Sequence, residues 1–193
     1  TYPTPSERHV ETVCVAGVRI DQDAPSWVRL YPIPFRVLGF DYQFKKYQVV
    51  DVPIAPRGTR DPRPESFSPE IAGAALGEVI DTRSNWKNRS ALVGHLVGQR
   101  TACELLHLNR AGKMNEAVPS LGLVKPRDVQ MSVLEGKPWT AKQKTKAVRA
   151  AEPTLFDEAA IRNELEPAPY EIRVRYKCLD SGCRGHDQKI IDW

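Results

Sequence analysis

Long hydrophobic runs are missing from this 193-residue chain: none approaches the roughly 18 apolar residues of a membrane-spanning helix, and the uncharged stretch 71–77 is closed by Glu78. The polar, Pro-containing start over residues 1–8 lacks the apolar centre of a signal peptide. Cysteine is sparse as well; four residues cannot frame a disulfide scaffold, so a reducing cytoplasm is the expected setting. No Gly-rich phosphate loop follows any strand candidate, which leaves Rossmann and P-loop nucleotide binding without support. No Gly-x-Ser-x-Gly elbow occurs, and no internal repeat or low-complexity tract is visible. What is present is an ordinary globular composition, 41% hydrophobic and 27% charged, which excludes wholesale disorder. The length suits one domain or two small ones.

Charge is distributed unevenly. Residues 1–82 hold 9 basic and 11 acidic side chains, residues 83–149 hold 13 and 4, and residues 150–193 hold 6 and 9. A central excess of nine positive charges attracts polyanions, because neutralising phosphates releases counterions whatever the base sequence. A solvated surface that serves solubility would carry the same bias.

The pattern predicts an α+β protein in three parts. Residues 1–67 read as an OB-like or small β-barrel part, with strands over 10–20, 27–31 and 47–52 separated by Pro-rich turns. Residues 68–150 read as a basic, mainly helical insert. Ser68 followed by Pro69 suggests a capped helix running to about residue 80. Residues 85–112 suggest two helices broken near Gly94 and Gly98, the second opening on the capping box Thr101-Ala-Cys-Glu104. One more strand is expected over 120–125 and a basic helix over 140–149. Residues 151–193 read as a short amphipathic helix over 155–165, then a strand and a returning hairpin, a part that stands by itself or forms one compact domain with the first.

The strand at 170–177 is the cleanest local signal. Tyr170, Ile172, Val174 and Tyr176 alternate with Glu171, Arg173, Arg175 and Lys177, which predicts a half-buried strand with a largely basic open face. Directly after it, Cys178, Cys183 and His186 are spaced C-x4-C-x2-H. Two thiolates and an imidazole at this spacing suit Zn²⁺. The fourth donor is open among Asp180, Asp187, Asp192, Cys14 and a water; the competing reading is a hairpin with two reduced cysteines. Cys14 and Cys103 otherwise read as small buried hydrophobes in a strand and a helix. A catalytic metal of the zinc-deaminase kind lacks its signature, since no Glu stands two residues after a ligand and no C-x2-C is present.

For nucleic acid, the early β region interleaves rings and cations: Trp27, Arg29, Tyr31, Phe35, Arg36, Phe44, Lys45, Lys46 and Tyr47. On an open face these would stack bases and neutralise phosphates; the usual fate of such aromatics, and the one expected of Trp27, Phe35 and Phe44, is the core. Arg57, Arg60 and Arg63 in the Pro-rich loop could fork phosphates. Lys142, Lys146 and Arg149 would share one helix face, and Arg173 and Arg175 one strand face.

Several segments together resemble a group of uncharacterised bacterial hypothetical proteins. They are Thr12-Val-Cys-Val-Ala-Gly-Val, Trp27-Val-Arg-Leu-Tyr-Pro-Ile-Pro-Phe, Phe44-Lys-Lys-Tyr-Gln, Arg60-Asp-Pro-Arg-Pro-Glu-Ser, Ser120-Leu-Gly-Leu-Val-Lys-Pro, and the end Tyr176-x-Cys…Cys-x-Gly-His…Asp-Trp. The stretch from Thr12 to Phe35 is also similar to the opening of dual OB-containing domains, which implies an OB-like barrel and nucleic-acid handling. The start at Thr1 and the stop at Trp193 suggest a piece of something longer. The leading expectation is a cytoplasmic nucleic-acid-binding accessory or regulatory protein with a possible structural Zn²⁺, its partner being DNA or RNA, with no membrane contact. The alternatives are a metal-dependent hydrolase or nuclease acting on nucleic acid, with Asp187 and Asp192 as candidate acids, and a protein-interaction subunit of a larger bacterial complex.

Overall fold

A computed structural model describes residues 4–6, 10–35, 38–112, 116–151 and 165–191. Arg36, Asp192 and residues 155–164 of the expected amphipathic helix lie outside the described residues.

The β-branched run after residue 10 forms strand β2 (Val10–Arg19), flanked by β1 (Thr4–Ser6) and by β3 (Ser26–Ile33). β3 then pairs in parallel with β6 (Ser66–Pro69), whose other edge takes β5 (Ile54–Pro56), so the sheet order is β1-β2-β3-β6-β5. Its core is small: Ile33 is fully buried, and Val13 and Val28 nearly so. A two-stranded ladder joins β4 (Gln48–Asp51) to β7 (Ala75–Val79). The third sheet, β10-β9-β8, is antiparallel, with β8 (Arg127–Glu135), β9 (Tyr170–Lys177) and β10 (His186–Lys189). The helices are α1 (Arg83–Val93), α2 (Ala102–Ala111) and α3 (Ala141–Ala151); α3 packs against β1 and β2 and buries Ala147.

The α+β class therefore stands, and among the described residues no sheet closes into a barrel. Two local expectations are corrected. The Ser68–Pro69 helix start is overridden by sheet pairing: both residues end β6, opposite Ala55 and Ile54 of β5, and 75–79 is strand β7. The propensity of two residues is worth less than a ladder that satisfies several amides at once. The strand expected at 120–125 reduces to a single bridge between Val97 and Leu123, while the chain pairs β9 with 127–135 instead. The paired helices of 83–111 are found, and the Thr101 hydroxyl accepts the Glu104 amide at 3.0 Å as an N-cap should.

β8 is an edge strand exposed along its whole length. Its end is held by a close approach that only glycine permits: a Cβ on Gly136 would meet the Ala168 carbonyl oxygen at 2.0 Å.

Asp61 pins the Pro-rich loop. Its carboxylate accepts a two-pronged bond from Arg63, at 2.6 and 2.7 Å, and one from the Ser66 hydroxyl at 2.9 Å. Burial pushes the Asp61 carboxyl upward, but the bonds from Arg63 and Ser66 and the Arg63 charge outweigh it and hold the group below its usual range. A carboxylate with a depressed folded-state pKa stabilises the fold above its unfolded-state value and loses that contribution as pH falls through the folded value. Asp61→Asn is expected to cost about 1–2 kcal/mol in urea unfolding at neutral pH, with the difference from the parent shrinking in acid as the pH falls through the lowered folded-state value.

Candidate metal centre and aromatic surface

The strand β9 ends at Lys177, and the next eight residues fold back to start β10 at His186. Asp180 shapes this knuckle: its side chain accepts the Gly182 amide at 2.8 Å and its carbonyl the Cys183 amide at 3.2 Å. Gly185 supplies the left-handed backbone, φ +107°, that returns the chain. The turn brings Cys183 Sγ to 3.3 Å from His186 Nε2, and the Cys178 amide donates to Cys183 Sγ at 3.4 Å.

Cys103, from the first turn of α2, joins them as a candidate fourth donor. Its Sγ lies 3.5 Å from His186 Nε2, and the ligand atoms of Cys103, Cys178, Cys183 and His186 all fall within 4.8 Å of one another. A tetrahedral ion with metal–sulfur bonds of about 2.3 Å and metal–nitrogen bonds of about 2.0–2.1 Å has edges of roughly 3.5–3.8 Å. The sulfur–nitrogen separations match that figure, so these four residues can hold one metal ion. Cys103 packs half-buried against the core, as expected of a small helix hydrophobe, and also lies within the cluster, while the other residues expected as a fourth donor stand elsewhere where they are described. Asp180 caps the turn, Asp187 binds Arg173 and Arg175, and Cys14 sits half-buried in β2. Thr101-x-x-Glu104 already placed Cys103 one turn into a helix; nothing local connects it with a hairpin 75 residues on.

The centre is set in a small core. Cys178 is fully buried, Tyr176 and Ala102 are buried beside it, and Val124 and Val174 pack around them. The Tyr176 ring lies 5.1 Å from the His186 ring, its hydroxyl donates to Gln188 at 2.8 Å, and Arg127 donates to the Cys178 carbonyl at 3.1 Å. The thiols differ in acidity. Burial raises the pKa of the Cys178 thiol, but backbone bonds at Asp180 and Cys103 and the contacts with His186 and Cys183 prevail and bring it down to about 6. Burial, then the neighbouring Cys178 and Cys183, push Cys103 up to about 12. Cys178 thus gives up its proton more readily than Cys103, whose ionisation a bound cation would favour.

The residues expected to meet nucleic acid are scattered. Trp27 is half-buried at the start of β3. Arg29 turns inward and donates to the Ser120 hydroxyl at 2.8 Å. Tyr31 lies under the Arg57 guanidinium, 4.9 Å from ring centre to Cζ. Arg60 is exposed, and Arg63 is held by Asp61. On α3, Lys142 is exposed and Lys146 half-buried; the backbone of Arg149 belongs to the helix, and its side chain lies outside the description. The open face of β9 is not a bare basic strip. Arg173 pairs with Glu171 and Asp187, Arg175 with Asp187, and Lys189 with Glu171, because the register sets Asp187 directly opposite Arg175.

Lys45 and Lys46 are exposed and lead into Tyr47, and here the structure adds residues the sequence did not single out. The Arg89 guanidinium lies 4.0 Å from the Tyr47 ring centre and 5.2 Å from that of Trp86, and the two rings meet edge to face at 6.5 Å. Trp86 is 51% exposed and Tyr47 42%. Both stand on left-handed backbone, with φ 65° and 58°, and Ser84 and Asn85 before Trp86 share that conformation. Each such residue costs an L-amino acid about 1–2 kcal/mol, and consecutive ones are rare outside functional segments. The available signal was a tryptophan inside the polar run Arg83-Ser-Asn-Trp-Lys-Asn-Arg89.

Two family models match the chain, one to each half: a domain of unknown function (DUF8758) over residues 1–95 and another (DUF8757) over residues 98–193. Neither is described as an OB domain. No curated protein and no solved structure matches. Among the described residues no helix is long and apolar enough to cross a membrane.

Proposed function

We propose that the protein is a nucleic-acid-binding accessory module that holds single strands on the Tyr47–Arg89–Trp86 surface, with a structural zinc ion in its C-terminal half. The observation that carries this reading is the pair of exposed rings gripping one arginine. Rings held open to solvent on a strained backbone offer stacking faces, and Lys45, Lys46, Arg83 and Lys87 flank them in sequence and are exposed. Stacking accepts any base with a free face, so the surface suits unpaired strands and little sequence preference. The donor set, three thiols and an imidazole, is soft and fits zinc among the common ions. Four protein donors fill a tetrahedron and leave no position for an activated water, which weighs against the hydrolase reading.

Fluorescence anisotropy with labelled 15-mers of single-stranded DNA, single-stranded RNA and duplex tests this. Single strands are expected to bind at low salt, with affinity falling steeply as salt rises. Trp86→Ala should weaken binding about 5- to 150-fold, the loss of one stacked base at about 1–3 kcal/mol, while Trp86→Phe retains most of it. Absence of binding at low salt, or equal affinity in Trp86→Ala, eliminates the proposal.

A further inference from the structure

A cleft of about 420 Å³ opens where the ends of β2 and β6 and the start of β3 face segments 96–100 and 119–122. Its walls come from both halves of the chain, those matched by the two family models. Such seams are favoured places for small-molecule sites, and the volume lies in their usual range.

The lining is chemically sorted. Trp27 and Phe67 supply aromatic surface, and the Arg19 guanidinium lies 5.4 Å from the Phe67 ring centre. Arg19 and Arg100 are also in the lining, each held by an acid of its own, Asp21 and Glu104. Pairs of this kind are weak, and a guanidinium has five N–H donors, so both retain capacity for an anion. Gln99 adds an amide. At the inner end is Glu65, only 5% exposed. Its Oε1 accepts the Ser120 amide at 2.8 Å and the Ser120 hydroxyl at 2.7 Å, and the residue is part of the cleft lining. A carboxylate offers about four acceptor sites on its two oxygens, so Glu65 has capacity for N–H donors of a ligand in the cleft.

A ligand that satisfies this arrangement has a flat apolar face, an edge of N–H donors and an anionic tail. We infer that the cleft binds a guanine nucleotide, with the base against Trp27 and Phe67, its N1–H and N2–H edge toward Glu65, and its phosphate at Arg19 and Arg100. Guanine is the base whose Watson–Crick edge places two donors side by side. Uracil would present a single N3–H donor flanked by two carbonyl oxygens, and adenine and cytosine would each present one donor beside a lone pair. The inference stands beside the strand-binding surface and does not require it, since the cleft and Trp86 share no residue.

Isothermal titration of the full, zinc-loaded chain with GMP, AMP, CMP, UMP, guanosine and inorganic phosphate decides the matter. GMP is expected to bind at least tenfold tighter than UMP. Arg100→Ala should weaken GMP about three- to tenfold and leave guanosine unchanged. Glu65→Gln should bring the GMP/UMP ratio close to one. Should Glu65→Gln fail to fold, Phe67→Leu serves in its place and should weaken all four nucleotides together. A single guanine placed in a uridine 15-mer separates the two sources of such a nucleotide. If it raises strand affinity by the GMP/UMP ratio, the cleft takes a residue of a strand; if it has no effect while GMP binds, the ligand is the free nucleotide. No heat with millimolar GMP, binding of phosphate without guanosine, or a base preference untouched by Glu65→Gln overturns the inference. Binding of a uridine-only 15-mer reports on the Tyr47–Trp86 surface alone, so failure of one site is distinguishable from failure of the other.

Discussion

Cys103→Ser is expected to remove stoichiometric zinc from the purified protein and to lower its unfolding midpoint by more than about ten degrees. Binding at a structural zinc site contributes of order 10 kcal/mol in small domains, where folding and metal uptake are coupled. In a chain of this size each kcal/mol moves the midpoint by about 2–4 °C, so losing even a third of that figure produces a shift of this order. The ion would tie α2 to the β9–β10 knuckle, two elements joined otherwise by the few buried contacts around Tyr176 and Ala102. Chelation of the parent should reproduce the shift, and Cys14→Ser should change neither metal content nor midpoint, since Cys14 is outside the cluster. The sign of the pH effect follows from the thiols. Zinc uptake must release the proton that Cys103, pushed up to about 12, holds most firmly, so affinity rises with pH. Elemental analysis and differential scanning calorimetry supply both readouts. One zinc per chain retained in Cys103→Ser, or a midpoint indifferent to chelator, removes the metal centre from the account.

Glu65→Ala is expected to destabilise the zinc-loaded protein by about 3 kcal/mol, read as a lower urea midpoint at unchanged slope. Glu65 gathers the two halves of the chain. Its backbone carbonyl takes the Arg29 amide at 2.6 Å, its side chain takes both Ser120 donors, and the Ser120 hydroxyl in turn accepts from Arg29 at 2.8 Å. Truncation leaves the Ser120 amide and hydroxyl without an acceptor beside an Arg29 whose Nε is already buried and unpaired. The cost is that of stranded donors as well as of lost bonds. Ser120→Ala retains the amide bond and should cost only about 1 kcal/mol. If both variants melt within 0.5 kcal/mol of the parent, as surface substitutions commonly do, the seam is held by something else.

These results divide between what neighbours along the chain decide and what distant segments decide. Strand β9 runs over the residues its alternation marks, and α2 begins at the cap Thr101, because both signals are completed within a few residues. Three metal donors were legible for the same reason: Cys178, Cys183 and His186 share one turn. Helix propensity at Ser68 and Pro69 was equally local but lost to pairing with Ala55 and Ile54 of β5.

The sequence by itself determined the mixed α and β character, the knuckle and three of its donors, and the positive balance of the middle segment. Tertiary structure alone decided that Cys103 completes the donor set, that Asp187 and Glu171 offset the arginines of β9, and that Trp86, Arg89 and Tyr47 meet. Each of those depends on the separation between side chains far apart in the chain. Coordination, ion pairing and ring contact all fall off within a few ångströms, and only the folded backbone fixes distances on that scale.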